Sequence, residues 1–600
     1  MSLLNKFKNI IHYTSLMGLK WFIFRVKYEL LKKIGYFNIV NKSILKKVDR
    51  CDSSLFHYEK IGLIADDFRG CSGFFKKADE AINGNIFAFS HEYLNYLINN
   101  KIEWQMNPLS KVKADESLSW NNLSDFGEYG DIKLIWEASR FPQVYFFINA
   151  YYASKDEKYA KACIAQIVDW IDSNPYPKGV NYKCGQEISF RIFSWINALE
   201  YFHKFISKSD EEKIVKNIYT SLLRVDANID YAAKSVKNNH SISEASGLLL
   251  GGLLFPQFKE SKEFVKKGLK YLLEESAYQI YDDGSYIQHS FTYERLVLDV
   301  LSFVIFVSEK IEFELPEEIK RRHLKILNFL NSFMQENGWL PNYGSNDGTN
   351  LFPIGDNDYR DFRGSLGFAL RICKKESLLL DKKIEFNDGG YYILKSDEIF
   401  TFIRSHSYVD RPGQNDMFHL DVWYKGENIF CDSGSYSYNT DKIDKDNFLG
   451  TIGHNTVLIN NENQMKQVLN FGWANWTKTK QIKFNKHSFN AQNYAYKERF
   501  GITHNRELKL QENFLYITDK IVGVNKLTNI QQVWNTKYDL EPIDEYKLKV
   551  NTCIISSNVK YRVEDSYISD YYNSYLIGKR VIFEIDADND FEIKTVMEFI

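Results

Sequence analysis

An amide, an imidazole and a phenol stand in two segments of the chain that could act together. Residues 238–240 read Asn-Asn-His, and Tyr293 follows further along. Amide and imidazole donors can polarise a carboxylate, and an imidazole or phenol can move a proton on the carbon beside it. In a cleft of polysaccharide size, Asn239, His240 and Tyr293 would cleave or epimerise a uronic-acid sugar.

Each of these residues could equally have an ordinary structural role. Asn238 and Asn239 could cap the helix that follows them. His240 could be a hydrogen-bonded core histidine, and Tyr293 could be a buried core aromatic. A phenol has an ordinary pKa of about 10, so it needs a nearby cation or donor to act as a base near neutral pH. Spacing alone leaves catalysis and structure open.

Composition limits the class of protein. The chain has 600 residues, too many for one ordinary core, so we expect two or three domains. Its net charge of −2 provides no field that would attract nucleic acid. The seven cysteines are scattered, without the spacing of a metal motif or a disulfide framework, so we expect reduced thiols.

The N-terminal segment is basic and aromatic. Lys20, Arg25 and Lys27 interrupt its apolar residues, so neither a secretory signal nor a transmembrane segment is expected. We therefore predict a cytoplasmic protein. The stretch 18–33 would either pack as an amphipathic helix or rest on the surface of the inner membrane.

The hydrophobic period divides the chain. Residues 1–110 are mixed, and residues 111–385 have a helical period, as at Tyr159, Cys163 and Ile167. This pattern predicts stacked helical hairpins, arranged as a solenoid or a closed toroid.

Residues 386–600 change to a period of two. Phe418, Leu420 and Val422 alternate with polar residues, and Lys425-Gly426 is typical of a hairpin turn. Helices first and strands second indicate separate domains or layers.

Five motifs in order resemble the heparinase II/III-like polysaccharide lyase family. They are Trp-Glu-Ala-Ser-Arg at 136–140, Asn-Asn-His at 238–240, Asp-Gly-Ser at 283–285 leading to Tyr293, Asp-Ser-Gly-Ser-Tyr-Ser-Tyr at 432–438, and His-Asn-Thr at 454–456. The resemblance runs from about residue 110 to the C-terminus. It implies an incomplete (α/α) toroid followed by an antiparallel β-sandwich, with the substrate cleft between them.

The resemblance also implies roles for particular residues. Asn239 would neutralise the uronate carboxylate with help from His240, and Tyr293 would act as base, acid or both. The substrate would be an acidic polysaccharide or oligosaccharide, cleaved by β-elimination. The oligomeric state is left open.

The chain departs from the family at the start of the sandwich. Members typically carry His-x-His-x-Asp, where this chain has Pro-Gly-Gln-Asn-Asp at 412–416, so both histidines are replaced. Asp432 and His454 remain as zinc candidates, but Gln414 is a poor third ligand because zinc prefers His, Cys or carboxylate. We therefore expect no required cofactor and favour a hydrogen-bonded structural role for His454.

Three further residues are candidates for substrate binding beside Gln414. Arg411 could bind a carboxylate bidentately. His419 could replace a lost histidine, or could pair with Asp421 at the sandwich surface. His289 would share a helical face with Tyr293 if that segment is helical.

The sequence around Arg411 and His419 resembles a subgroup that acts in surface-polysaccharide biosynthesis. The first hypothesis is thus a lyase of a uronic-acid-containing capsule or lipopolysaccharide chain. A uronyl C5-epimerase would use the same proton abstraction without cleavage. The loss of both motif histidines also leaves open a catalytically silent glycan-binding or assembly protein.

Overall fold

The protein is an incomplete (α/α) toroid followed by an antiparallel β-sandwich, as the sequence predicted. A computed structural model describes residues 12–62, 73–353, 355–373, 382–438, 442–469 and 472–600. Within these ranges, no helix is both long enough and apolar enough to cross a membrane. The domain divisions predicted at residues 110 and 385 stay predictions.

Helices build the first part of the molecule. Their bounds are Leu19–Lys33, Tyr36–Asp49, Gly73–Ile82, Ile132–Ser139, Gln143–Ser154, Glu157–Ser173, Gly185–Phe202, Lys208–Asp226, Ile229–Tyr231, Asn239–Leu254, Ser261–Gln279, Phe291–Lys310, Glu317–Phe333 and Arg363–Ile372. A π-helical turn, Ala232–Val236, leads into the Asn239–Leu254 helix. The short helices Lys442–Leu449 and Lys497–Phe500 lie among the later strands.

Side-chain caps fix where the helices that matter for the site begin. Asn238 caps the Asn239–Leu254 helix, because its side chain accepts a hydrogen bond from the backbone N–H of His240. Ser290 caps the Phe291–Lys310 helix by accepting from the backbone N–H of Tyr293. His240 and Tyr293 therefore both lie in the first turn of a helix.

Three antiparallel sheets form most of the second part. In neighbour order, the five-stranded sheet contains Glu427–Phe430, Leu420–Tyr424, Ile399–Arg404, Tyr391–Lys395 and Glu385–Phe386. The four-stranded sheet contains Val457–Ile459, Thr528–Thr536, Ser574–Ala587 and Tyr561–Tyr571. The eight-stranded sheet contains Thr479–Asn485, Ser488–Asn493, Thr503–Gln511, Phe514–Val522, Phe591–Phe599, Cys553–Ser557, Lys547–Val550 and Leu540–Pro542.

Four small hairpins complete the described strands. They pair Asn85–Ala88 with Glu92–Asn95, Leu97–Ile98 with Lys101–Ile102, Phe126–Gly127 with Gly130–Asp131, and Lys466–Leu469 with Gly472–Ala474. The predicted turn at Lys425 and Gly426 joins two strands of the five-stranded sheet. Both residues have positive φ, 50° and 81°, as a two-residue hairpin of this type requires.

The five-stranded sheet is buried on both faces and joins the two parts of the molecule. Tyr391 and Phe402 belong to the helical core, whereas Tyr392 and Ile403 belong to the sandwich core. Apolar side chains on both faces explain why its strands lack a clean polar alternation. The sheet therefore fixes the sandwich against the helices and sets the geometry of the space between them.

The described cysteines match the expectation of reduced thiols. Six of the seven are described, and these six form no disulfide with one another. The seventh, Cys71, lies outside the described residues.

Candidate active site

A cavity of about 500 Å³ lies where the Leu19–Lys33 helix, the toroid helices and the sandwich meet. Its wall is rich in aromatic and charged side chains. The lining residues include Arg25, Tyr28, Trp120, Asp131, Lys133, Trp136, Lys183, Cys184, Asn238, His240, Glu244, Gln288, Tyr293, Arg411, Tyr438 and Trp473. Indole faces suit the apolar faces of sugar rings, and the cations suit an acidic ligand.

His240 presents a neutral imidazole to this cavity. Its Nδ1 lies 3.5 Å from the Cys184 sulfur, which leaves Nε2 as the ring nitrogen for a ligand. Burial lowers the pKa of His240 to about 4, although the nearby Glu187 carboxylate opposes the shift. At neutral pH the ring is therefore unprotonated and able to accept a proton.

Tyr293 forms a pair with a second phenol, Tyr438. The two hydroxyl oxygens are 2.7 Å apart. Burial, reinforced by the Asp347 carboxylate, holds the pKa of both phenols well above the usual value. Both hydroxyls are therefore protonated near neutral pH, which suits them to donate a proton.

A lysine stands beside the phenol pair. The Lys133 ammonium lies 4.9 Å from the centre of the Tyr438 ring and 2.9 Å from an Asp347 oxygen. A cation at this position would stabilise negative charge that develops on either phenol during proton transfer.

Arg411 is the cavity cation best placed to receive an anion. Lys133, Lys183 and Arg25 are paired with carboxylates, at 2.9, 3.2 and 3.6 Å respectively. Among the residues that the structure describes, neither Arg411 nor Lys32, which also lines the cavity, has such a partner. Of these two cations only the Arg411 guanidinium can bind a carboxylate of the ligand bidentately.

Asn239 lies beside the cavity wall and is not one of its lining residues. Its Nδ2 donates to Gln186 Oε1 at 2.8 Å, and its backbone N–H donates to Gln288 Oε1 at 3.2 Å. The amide side chains that line the cavity include those of Asn238 and Gln288. The structure thus brings His240, Tyr293 and Arg411 together and places Asn239 next to them.

His289 lies outside both the cavity lining and the helix of Tyr293. That helix begins at Phe291, and His289 has a φ of 50° in the preceding turn. The His289 ring packs 4.7 Å from the His406 ring, and burial together with Arg404 lowers its pKa well below the usual value. The conditional expectation of a shared helical face therefore does not hold.

Gln414 and His419 are buried away from the cavity lining. Gln414 donates from Nε2 to the carbonyl of Gly434 at 3.4 Å. His419 is completely buried, so it is not a surface partner of Asp421, although its Nε2 lies 3.6 Å from that carboxylate. The five-stranded sheet is covered on both faces, which explains why the alternation of the strand gave no exposed position here.

His419, Asp432 and His454 form a buried cluster in the sandwich. Ligand atoms from all three lie within 4.8 Å of one another. His454 Nδ1 is 2.8 Å from Asp432 Oδ2, and Nε2 of both histidines is buried without a hydrogen-bond partner in the described structure. His419 therefore supplies the third ligand that Gln414 could not, and the set of two nitrogens and one carboxylate oxygen suits zinc.

Two residues of the cavity wall were not singled out in the sequence. Tyr438 closes the run 432–438, but only its distance from Tyr293 reveals a phenol pair. Glu244 is fully desolvated, which raises its pKa to about 8. A buried carboxyl cannot be distinguished from an exposed one by its position in a helical repeat.

A helical toroid joined to an antiparallel sandwich, with a basic and aromatic cavity at the junction, defines a class of two-domain proteins suited to acidic glycans. The chain belongs to the heparinase II/III-like family. The family model for the heparinase II/III N-terminus matches residues 73–352, and the heparinase II/III-like C-terminal model matches residues 380–554.

Relatives and solved structures agree with this placement. A heparin-sulfate lyase of Bacteroides stercoris is 22% identical over 568 residues, which cover 87% of this chain and 80% of that protein. A heparin-sulfate lyase of Pedobacter heparinus is 21% identical and covers 76% and 72%. The crystal structure of heparinase III has the same fold, with a TM-score of 0.69 at 17% identity over 95% of this chain and 91% of that one.

Proposed function

We propose that the protein is a polysaccharide lyase that cleaves a uronic-acid-containing glycan by β-elimination. One observation carries the proposal: one cavity is lined by a neutral imidazole, a pair of protonated phenols and an arginine that has no carboxylate partner within the described part of the chain. Relatives that are named as lyases support the same class of reaction.

Arg411 binds the carboxylate of the uronate in this mechanism. A bidentate guanidinium neutralises the negative charge and stabilises the enolate that develops when the neighbouring proton leaves. Asn238 and Gln288 line the same cavity and can donate amide hydrogen bonds. Asn239 supports this wall through Gln186 and Gln288.

His240 takes the proton from C5 of the uronate, and Tyr293 protonates the leaving oxygen. The C5–H electrons form the C4=C5 double bond as the C4–O bond breaks, and the departing oxygen takes the phenolic proton. Tyr438 donates to Tyr293 as negative charge appears there, and Lys133 stabilises that charge. Transfer of the proton from His240 back to the phenol pair, through solvent, restores the starting state.

The proposal is tested by incubating the protein with a panel of uronate glycans and following ultraviolet absorbance of the unsaturated product. Wild-type protein is expected to generate that product, and Tyr293→Phe is not. His203→Ala, at an exposed histidine, serves as the matched control. Absence of product from every glycan, including the surface glycan of the source cell, would refute the lyase.

The glycan we propose is a capsule or lipopolysaccharide chain, with the resemblance around Arg411 and His419 as support. Deleting the gene and measuring the chain length of the cell-surface glycan tests this. Unchanged chain length in the deletion strain would contradict it. The cytoplasmic location stays a prediction that cell fractionation tests.

We also propose that His419, Asp432 and His454 can hold a zinc ion with a structural role. Two nitrogens and a carboxylate oxygen match its preferred donors, and none of the three residues lines the cavity. A bound zinc would tie together segments of the sandwich that are separated in sequence. The β-elimination described above uses no metal step.

Elemental analysis of the purified protein tests the zinc site independently of catalysis. We expect zinc to co-purify with the wild type and to be lost in His419→Ala and in His454→Ala. A chelator should then lower the melting temperature of the wild type. If the protein takes up no zinc and the chelator leaves its melting temperature unchanged, the zinc site is refuted.

A further inference from the structure

The helix Leu19–Lys33, called the N-terminal helix here, has two faces of opposite character. Trp21, Arg25 and Tyr28 are spaced on one face. A second set with the same spacing stands two positions earlier in the chain: Leu19, Ile23, Val26 and Leu30. Two positions correspond to a rotation of about 200° around a helix. The two sets therefore point in nearly opposite directions.

The inner face is fastened to the toroid above the cavity. Trp21 donates from Nε1 to the carbonyl of Ser235 at 3.0 Å, and Arg25 donates to the Tyr231 hydroxyl at 2.7 Å. Tyr28 donates to Asn228 at 3.1 Å, and its side chain lines the cavity. The inner face is therefore already in contact with the toroid.

The residues just before the helix reach the sandwich. Leu16 and Met17 pack against the cluster that contains Trp473 and Trp476. Burial raises the pKa of Tyr13, while Arg411 from the cavity wall opposes the shift. The N-terminal segment thus bridges both domains across the cavity and is held in place at both ends.

The outer face is apolar and open to solvent in the described structure. Leu19, Ile23 and Leu30 are 69%, 58% and 56% exposed. Ile34 and Ile39 continue the apolar surface beyond the helix end, at 73% and 67%. Large apolar side chains that cluster on a surface mark an interaction site far more often than scattered ones do.

Charge indicates which partner fits this face. Residues 12–50 contain nine Lys and Arg but only two Asp and Glu, a net charge of +7. The whole chain carries −2, which leaves −9 for the remainder. A basic segment on an otherwise acidic protein is attracted to an anionic surface, because each nearby Lys or Arg interacts favourably with anionic lipid headgroups.

We propose that the outer face of the N-terminal helix docks on an anionic lipid bilayer. Fifteen residues are too few to span a bilayer, which takes about 20, so the helix lies along the surface with Leu19, Ile23 and Leu30 among the acyl chains. Lys20, Lys27 and Lys33 then face the lipid headgroups. Because the inner face lines the cavity, docking holds the cavity next to the membrane.

Co-sedimentation of the full chain with lipid vesicles tests the proposal. Vesicles that contain phosphatidylglycerol should bind the protein at least ten-fold more tightly than vesicles of phosphatidylcholine alone. Added salt should weaken this binding, because it screens the lysines. Equal binding to both vesicle types, or no binding to either, would overturn the proposal. Vesicle binding does not depend on the proposed reaction.

Variants on the outer face separate docking from unfolding. The double variant Ile23→Glu with Leu30→Glu should lose at least ten-fold in vesicle affinity at an unchanged melting temperature. Ile577→Glu, at an exposed apolar residue of the sandwich, is the matched control and should bind like the wild type. Full binding by the double variant would contradict the proposal.

Sedimentation velocity without lipid tests whether a second copy of the chain occupies the face, and vesicle binding by a truncated chain tests whether residues 1–11 do. A wild type that dimerises and ignores vesicles, beside a double variant that stays monomeric, would assign the face to a second copy of the chain. If deletion of residues 1–11 creates vesicle binding that the intact chain lacks, those residues cover the face. Either result would overturn membrane docking.

Discussion

His240 and His454 are the same side chain in two contrasting environments. His240 lies on a cavity wall with a pKa lowered to about 4, and its ring can meet a ligand. His454 is completely buried in the sandwich, with Nδ1 against Asp432 at 2.8 Å. The two environments indicate two roles. His240 is placed to contact a substrate, whereas His454 is placed to stabilise the sandwich through a carboxylate or a metal ion.

The contrast leads to opposite expectations for substitution. A change in the cavity wall should remove activity and leave the fold intact. A change in the sandwich cluster should weaken the fold and leave the chemistry of the remaining folded molecules unchanged.

The largest effect is expected at the cavity wall. His240→Ala and Tyr293→Phe should each lower kcat/KM by about 10² to 10⁴, because each removes a positioned proton-transfer group. Their melting temperatures should match that of the wild type. Steady-state kinetics on the cleaved glycan measures the first quantity, and calorimetry measures the second.

Near-normal kcat/KM in both variants would place the chemistry elsewhere. A fall in melting temperature as large as that of a core substitution would instead make His240 a structural residue. Comparison with His203→Ala shows whether loss of any histidine has an effect.

The next effect is a loss of stability at the sandwich cluster. His454→Ala leaves the buried Asp432 carboxylate without its closest partner, which costs about 3–5 kcal/mol when a buried ion pair is broken. The midpoint of urea unfolding should fall, while kcat per folded molecule stays close to that of the wild type. An unchanged midpoint with lost activity would reverse the contrast between the two histidines.

A third prediction concerns pH. Because His240 must be unprotonated to act, kcat/KM should fall as the pH drops through about 4, well below the ordinary pKa of about 6.5. The unfolded chain binds this proton more tightly than the folded one, so His240 also lowers stability progressively as the pH falls from 6.5 toward 4. If kcat/KM of the wild type instead falls as the pH drops through about 6.5, and the His240 variants show the same fall, the prediction is contradicted.

The smallest effect is expected at the carboxylate site. Arg411→Lys keeps the charge but loses the bidentate geometry, so we expect a fall of about ten-fold in kcat/KM. Arg50→Lys, at an exposed arginine, is the control. If Arg411→Lys behaves like Arg50→Lys, Arg411 does not hold the carboxylate.

Much of the fold was predictable because periodicity is a local property. The helical period of the toroid and the alternation of Leu420 and Val422 both gave the correct class of element, although Phe418 lies in the turn before the strand. The cap at Asn238 was also visible, since a short polar side chain directly before a periodic run is typical of a helix start.

The candidate site was predictable only in part because it depends on contacts between distant segments. His240 and Tyr293 line one cavity, but the phenols of Tyr438 and Tyr28 come from segments far away in sequence. Nothing local reveals that the helix begins at Phe291 and so leaves out His289. His419 was a candidate to replace a lost histidine, but only the folded strands show that it lies beside Asp432.

Proton NMR of a defined uronate oligosaccharide, incubated with the protein in D₂O, follows the C5 proton and the glycosidic bond in one experiment. We expect a new vinyl proton at C4 of the unsaturated uronate, with a matching loss of the C5 proton signal and shortening of the chain, and none of these with Tyr293→Phe. Exchange of the C5 proton for deuterium without cleavage would make the protein an epimerase. Neither exchange nor cleavage of the cognate glycan would contradict proton transfer in this cavity altogether.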